Sequence, residues 1–212
     1  GQQTVNAAIS CECCHGAARN WYTSHFPPEG TSQSETPEEK SNRVIRNVYN
    51  GMRNRHNTYS MSRKCMRCHN IADEELVNVG GHSSGSLDFE MVSWSQGLMR
   101  HRFVSGQGQN APNSQERLAI MFVAGMIADL EFSLRATAEA TQKAKFGKDA
   151  ANRAARARKR LQAVQSRVNL PVLAELLELV TQRELRINNH ASLIAIANRI
   201  QLLGVRFAAQ TS

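Results

Sequence analysis

Pro112-Asn113-Ser114-Gln115-Glu116 opens the stretch of sequence that decides the fold. Turn-forming residues followed by a glutamate are a helix start, and the apolar-rich run behind them predicts a long helix reaching about Phe146. Gly147 reads as a break, with a second helix expected from about Asp149 to Val168. Asn169-Leu170-Pro171 interrupts that helix, after which Val172, Leu173, Leu176, Leu177 and Val180 resume an apolar stripe. Asn188-Asn189 is a further break or a polar spot before Leu193, Ile196, Ala197, Ile200 and Leu203, and Gly204 is read as a C-cap. No heptad repeat is sustained. The expectation is an antiparallel helical hairpin or bundle, not a two-stranded coiled coil.

Outward from there, composition changes near residue 112. Residues 1–111 hold all five cysteines and six of the seven histidines, whereas 112–212 are rich in Ala, Leu, Arg and Gln. Two regions are therefore expected, a cysteine- and histidine-bearing module (1–111) and a C-terminal helical region (112–212). Within the first, Thr36-Pro37-Glu38-Glu39 is a helix start: an N-cap, proline at the first helical position, then glutamate at the third. Val44, Ile45, Val48, Tyr49 and Met52 follow at helical spacing, and Asn54 to Asn57 should end the helix. Gly80-Gly81 forms a bend before His82, and Ser86 is placed to cap a helix through Phe89, Met91, Val92, Trp94 and Leu98 to His101. The fold class expected is mostly α, with little or no sheet.

With 41% apolar and 21% charged residues the composition is that of a globular chain. Its longest apolar runs, such as Leu118 to Ala128, are too short or too interrupted to span a bilayer. It opens Gly1-Gln2-Gln3 without an initiating Met, which reads as a processed, cut or engineered end. The formal charge of +8 could suggest nucleic acid, but aromatics are only 6% and no groove-reading motif is present. A basic surface that keeps the chain soluble or docks an acidic partner fits better. Its densest basic run, Arg153, Arg156, Arg158, Lys159 and Arg160, reads first as a solvated helix face.

Four of the five cysteines fall into one pattern. Cys11-Glu12-Cys13-Cys14-His15 and Cys65-Met66-Arg67-Cys68-His69 both read C-x-x-C-H, the attachment string of c-type haem. In that chemistry two thiols bond to the two vinyl groups, and the next histidine lies under the iron. Cys11, Cys14, Cys65 and Cys68 could alternatively form a four-cysteine zinc site, but this leaves His15 and His69 as coincidences. Cys13 is surplus, either an inert small hydrophobe or a competing attachment partner.

His15 and His69 are thus the expected proximal iron ligands. His25, His56, His82, His101 and His190 remain for distal positions. Methionine is the other usual ligand, but Met66 lies inside its own motif, and most of the other methionines fall on helical stripes where packing explains them. Bis-histidine ligation is the better reading. His190 is remote from the motifs and reads as structural or exposed, while His56 sits in the polar run Arg53 to Asn57.

Ser10 to Trp21, followed by His25, resembles a central segment of periplasmic multihaem c-type cytochromes, particularly tetrahaem ones related to the electron-transfer cytochromes of ammonia oxidisers. Cys65 to His69, Glu75 to His82, and Leu87 through Trp94 to His101 are similar to that family's next segment, and Met121 to Ala136 to its tail. The resemblance implies a multihaem cytochrome c module with His25, His82 and His101 as axial ligands; His56 and His190 match no family ligand. It departs in one respect: the family carries two further C-x-x-C-H motifs upstream, and none precedes Cys11 here. His25 could then serve a local haem, a haem on another polypeptide, or none.

Electron transfer through two covalent haems, in the periplasm or another extracytoplasmic compartment, is the leading expectation. No nucleotide-binding glycine loop or nucleophile–base–acid set competes with it. The alternatives are reduction or oxidation of a small nitrogen or oxygen species at an open haem, and a structural role in a larger multihaem assembly. The partners expected are other redox proteins, further cytochromes among them, or copies of the same chain.

Overall fold

The computed structural model describes residues 11–28, 34–54, 57–86, 88–98, 113–181 and 185–211. Helices dominate, and no strand forms among the described residues. The chain parts into two compact units, Gly1–Asn57 and Thr58–Ser212. The compositional change near residue 112 falls inside the second of these, among residues outside the described set.

In the first unit α1 (Cys11–His15) is a single turn, followed by a tight turn over Ala18–Asn20 and by α2 (Pro37–Tyr49). Thr36 caps α2 as its sequence predicts. Its hydroxyl accepts from the Glu39 amide at 3.2 Å, and the Glu39 carboxylate accepts from the Thr36 amide at 2.8 Å. The helix stops at Tyr49, short of the expected Asn54, because the chain turns through Gly51 at φ +94°. Trp21 is buried, and so is Asn47 of α2, which accepts from the Ser24 hydroxyl and donates to the Ser24 carbonyl. The apolar face read from the spacing is not taken up by the unit: Ile45 is 62% exposed and Tyr49 90%.

The second unit is built on α5 (Gln115–Glu139). Three helices pack around it, α3 (Thr58–His69), α6 (Lys145–Val168) and α8 (His190–Gln210), while α7 (Pro171–Thr181) packs on α6 and α8. A short helix, α4 (Glu74–Asn78), lies against α6, and Ser93–Leu98 forms a π-helical turn. α5 and α6 make the expected antiparallel hairpin, with Asp129 facing Arg153 and Met126 facing Arg160. The stripes of Leu173, Leu176 and Leu177, and of Leu193, Ile200 and Leu203, are all buried in this unit's own core.

Several boundaries differ from expectation for physical reasons. α5 ends at Glu139 instead of Phe146, where Ala140 turns to extended backbone. Gly147 lies inside α6 and not at a break. A Cβ there would stand 3.0 Å from the Cβ of Ala140, so glycine lets α6 close onto the preceding turn. Gly204 likewise lies within α8 and not at its end, because the Tyr59 ring occupies the space a Cβ would need. The Asn169 break is as read: Val168 ends α6, Asn169 takes φ +47°, and Pro171 starts α7. Ser86 does not cap the next helix. Glu90 does so instead, its carboxylate accepting from the amides of Val92 and Ser93 at 2.8 and 2.9 Å.

By length and composition α8 could cross a membrane, unlike the runs weighed from sequence. Leu193, Ala197 and Ile200 on it are completely enclosed by the bundle, which is what a core helix of this length requires.

Candidate functional site

Both C-x-x-C-H strings form helical turns. A helix sets residues i and i+3 on one face and i+4 beside them. That places Cys11, Cys14 and His15 together on α1, and Cys65, Cys68 and His69 together on the last turn of α3. No disulfide joins the five cysteines; Cys11, Cys13 and Cys68 are exposed, and Cys14 and Cys65 are half-buried. Among the described residues no group of three or more His, Cys, Asp or Glu side chains is placed to share a metal ion.

In the first unit the His15 Nδ1 lies 2.8 Å from the Arg53 carbonyl, and the Arg53 amide donates back to the His15 carbonyl at 2.7 Å. A carbonyl only accepts, so Nδ1 is a protonated nitrogen here, and in the neutral ring the lone pair is on Nε2. This is how iron- and zinc-binding histidines are usually held. Gly16 makes the close approach possible: its φ is +89°, and a Cβ would stand 2.8 Å from the Gly51 carbonyl oxygen. His25 is held the same way, its Nδ1 2.5 Å from the Tyr22 carbonyl. Phe26 lies against the His25 ring at 3.8 Å between centroids, and Trp21 meets it edge-on at 5.4 Å. Arg43, paired with Glu35, donates to the His25 carbonyl at 2.5 Å.

In the second unit His82 repeats the pattern, Nδ1 to the Ser83 carbonyl at 2.8 Å. Its backbone amide donates to the Leu76 carbonyl at the end of α4, and Gly81 takes φ +70° at the bend. Beyond His82 the chain returns to the end of α3. Gly85, at φ +101°, packs on the His69 carbonyl so closely that no side chain would fit. Ser84 ties this loop to α6 through Asp149 at 2.6 Å, with Lys145 bridging both.

The His69 ring stacks on Phe89 at 4.0 Å between centroids and meets Trp94 edge-on at 5.0 Å. Burial and then the nearby Arg153 charge hold it below the ordinary histidine pKa, favouring the neutral ring that metals bind. Met66, between the cysteines, is wholly buried in the core. Exposed His190 presents Nε2 to Glu139 at 3.1 Å, an ordinary surface pairing. His101 and His56 lie outside the described residues.

Sequence reading overlooked a set of buried charges. Arg153 was read as part of a solvated face, yet it is 2% exposed. Its guanidinium donates to Asp129 at 2.5 Å, to the His69 carbonyl at 2.6 Å and to the Met66 sulfur at 3.5 Å. Burial pushes the Asp129 carboxyl up despite that partner. A second carboxylate, Glu131, is fully buried and accepts from Arg63, Arg135 and the Tyr59 hydroxyl. Burial, then Glu131, raises the Tyr59 pKa far above the usual phenol range. Two signals could have found these groups. Asp129 and Glu131 interrupt an apolar run, and Arg153 shares the spacing of the buried Ala150, Ala154, Ala157 and Leu161. No protein-family model, no curated protein and no solved structure matches this chain.

Proposed function

We propose that this chain is an electron carrier of the c-type cytochrome kind, binding one haem covalently at each C-x-x-C-H turn. The observation that carries the reading is a shared one. Two complete strings both fold as helical turns, and His15, like the candidate distal ligands His25 and His82, has its Nδ1 on a backbone carbonyl, so that Nε2 has the lone pair for iron. Each haem would supply a one-electron ferric–ferrous couple. Cys11 and Cys14, or Cys65 and Cys68, would form the thioether bonds, and His15 and His69 would be the proximal ligands. The stacked Phe89 and Trp94 would exclude water from the second attachment turn. His25, His82 and His101 are the distal candidates. Closed, six-coordinate irons need no substrate pocket, which favours relay over catalysis. The reading places the chain in the periplasm or another extracytoplasmic compartment, between redox partners.

A specific observation favours assembly with another haem protein as an additional role. Ile45, Val48 and Tyr49 leave an apolar face of α2 exposed in the small unit that carries the first string. The leucine stripes of α7 and α8 are buried in the second unit's own core and do not supply it.

Mass measurement of the denatured protein tests the main reading. The mass should exceed the 23.6 kDa chain by two haems. One haem, none, or zinc in their place overturns it. Carbon monoxide added to the reduced protein then separates closed relays, which leave the spectrum unchanged, from an open catalytic haem.

A further inference from the structure

Resting on that reading, we propose that the buried pair Arg153–Asp129 sets the electron affinity of the haem at the second C-x-x-C-H turn, with Arg153 as its positioning residue. The last carbonyls of a helix lack intrahelical partners and carry the negative end of its dipole. On α3 those carbonyls belong to the attachment turn itself. Arg153 reaches them from α6 and donates to the His69 carbonyl at 2.6 Å and the Met66 sulfur at 3.5 Å, while Nε is fixed on Asp129 at 2.5 Å. The pair is thus an oriented dipole, its positive end on the peptide of the proximal histidine and its negative end turned toward α5.

Burial gives the dipole its reach. Side-chain exposure is 2% for Arg153 and 7% for Asp129, so water screens neither charge strongly. Ser133 donates to Asp129 at 3.3 Å and receives a hydrogen bond from Asn70, one residue beyond His69, so the carboxylate too is fixed in place. A positive charge near a haem favours the ferrous state, which carries one positive charge fewer than the ferric. The two partners therefore act in opposite senses: Arg153 raises the potential and Asp129 lowers it. At an effective dielectric of about 20, a unit charge acting over roughly 10 Å changes a one-electron equilibrium about tenfold.

Spectroelectrochemical titration of the full haem-loaded chain at alkaline pH, with soluble mediators supplying and removing the electron, tests the proposal. Asp129→Asn, which keeps an acceptor for Arg153, should raise the potential of one haem, and Arg153→Gln should lower that same one. Each shift should approach tenfold in the equilibrium, or ~59 mV. Arg153→Lys retains the charge and should stay near the parent. A merely structural role predicts no such opposition of sign. Shifts in the same direction, or none, with two haems still attached, overturn the inference and leave the electron-carrier reading standing. A parent chain that attaches no haem removes both. If Arg153→Gln fails to load its second haem, Asp129→Asn and Arg153→Lys decide the matter, one raised and the other unmoved.

Discussion

The same five-residue pattern is supported in two different ways. On α1 the turn is held by its neighbours in a small unit: a two-way bond between His15 and Arg53, and a glycine that admits the Gly51 carbonyl. On α3 it is the end of a twelve-residue helix packed on α5 and α8 and held by Arg153, 84 positions away in sequence. The C-x-x-C-H string thus dictates only its own turn. What fixes that turn is set by whichever element happens to pack behind it, local backbone in one case and a buried ion pair in the other.

The strongest way to break this comparison is to remove a buried charge from the second unit. Glu131→Ala should cost about 3 kcal/mol, the low end for a broken buried pair, because Arg63 and Arg135 still reach solvent. Chemical denaturation should show the loss in the second unit, with the His15 and His25 imidazole resonances unmoved. The converse is Gly16→Ala. Its φ of +89° and the crowding against Gly51 should cost about 1–3 kcal/mol, felt only in the first unit. Nitrogen NMR of His15 should then show loss of the single Nδ1–H tautomer. If either change disturbed both units alike, the two supports would not be independent.

The smallest effect sharpens the comparison through pH. Burial raises the Glu74 pKa, but donors from Thr141, Gln142 and Asn78 outweigh it and hold the carboxyl below its ordinary value. Asp149 is lowered in the same way, burial being outweighed by Ser84 and Lys145. A carboxyl whose folded pKa is depressed contributes stability above its unfolded pKa and loses it as pH falls through the folded value. The segments these groups fasten, α4 and the loop after His82, should therefore loosen on acidification below the usual carboxylate range. Amide protection over residues 74–86, corrected for the intrinsic pH dependence of exchange, should fall there, and Glu74→Gln should flatten the dependence around α4. Unchanged protection factors between neutral pH and pH 3 would contradict this.

The sequence was most legible where the physics is local. Thr36 and Glu39 form a capping box within four residues, and Asn169-Leu170-Pro171 ends one helix and begins the next without outside help. Gly147 and Gly204 were misread because glycine signals both a break and a close approach. Only the partners, Ala140 and Tyr59, decide between them, and these are tertiary. The two C-x-x-C-H turns were visible as strings, but Arg153 was not visible as the support of the second. A run of basic residues looks uniform until helical periodicity singles out the one whose face is buried.

If haem is attached at the second turn as proposed, the unequal burial of Cys65 and Cys68 would bear on the order of events during biogenesis. Cys68 is exposed, whereas Cys65 is half-buried and packs against the apolar core. Once α3 has docked, any apparatus that forms both thioether bonds meets one thiol in the open and the other wedged against its neighbours. Attachment at this turn would then compete with folding, reaching Cys65 more readily before α3 packs onto the core than after. The first turn would meet the same asymmetry in a smaller unit, with Cys11 exposed and Cys14 half-buried.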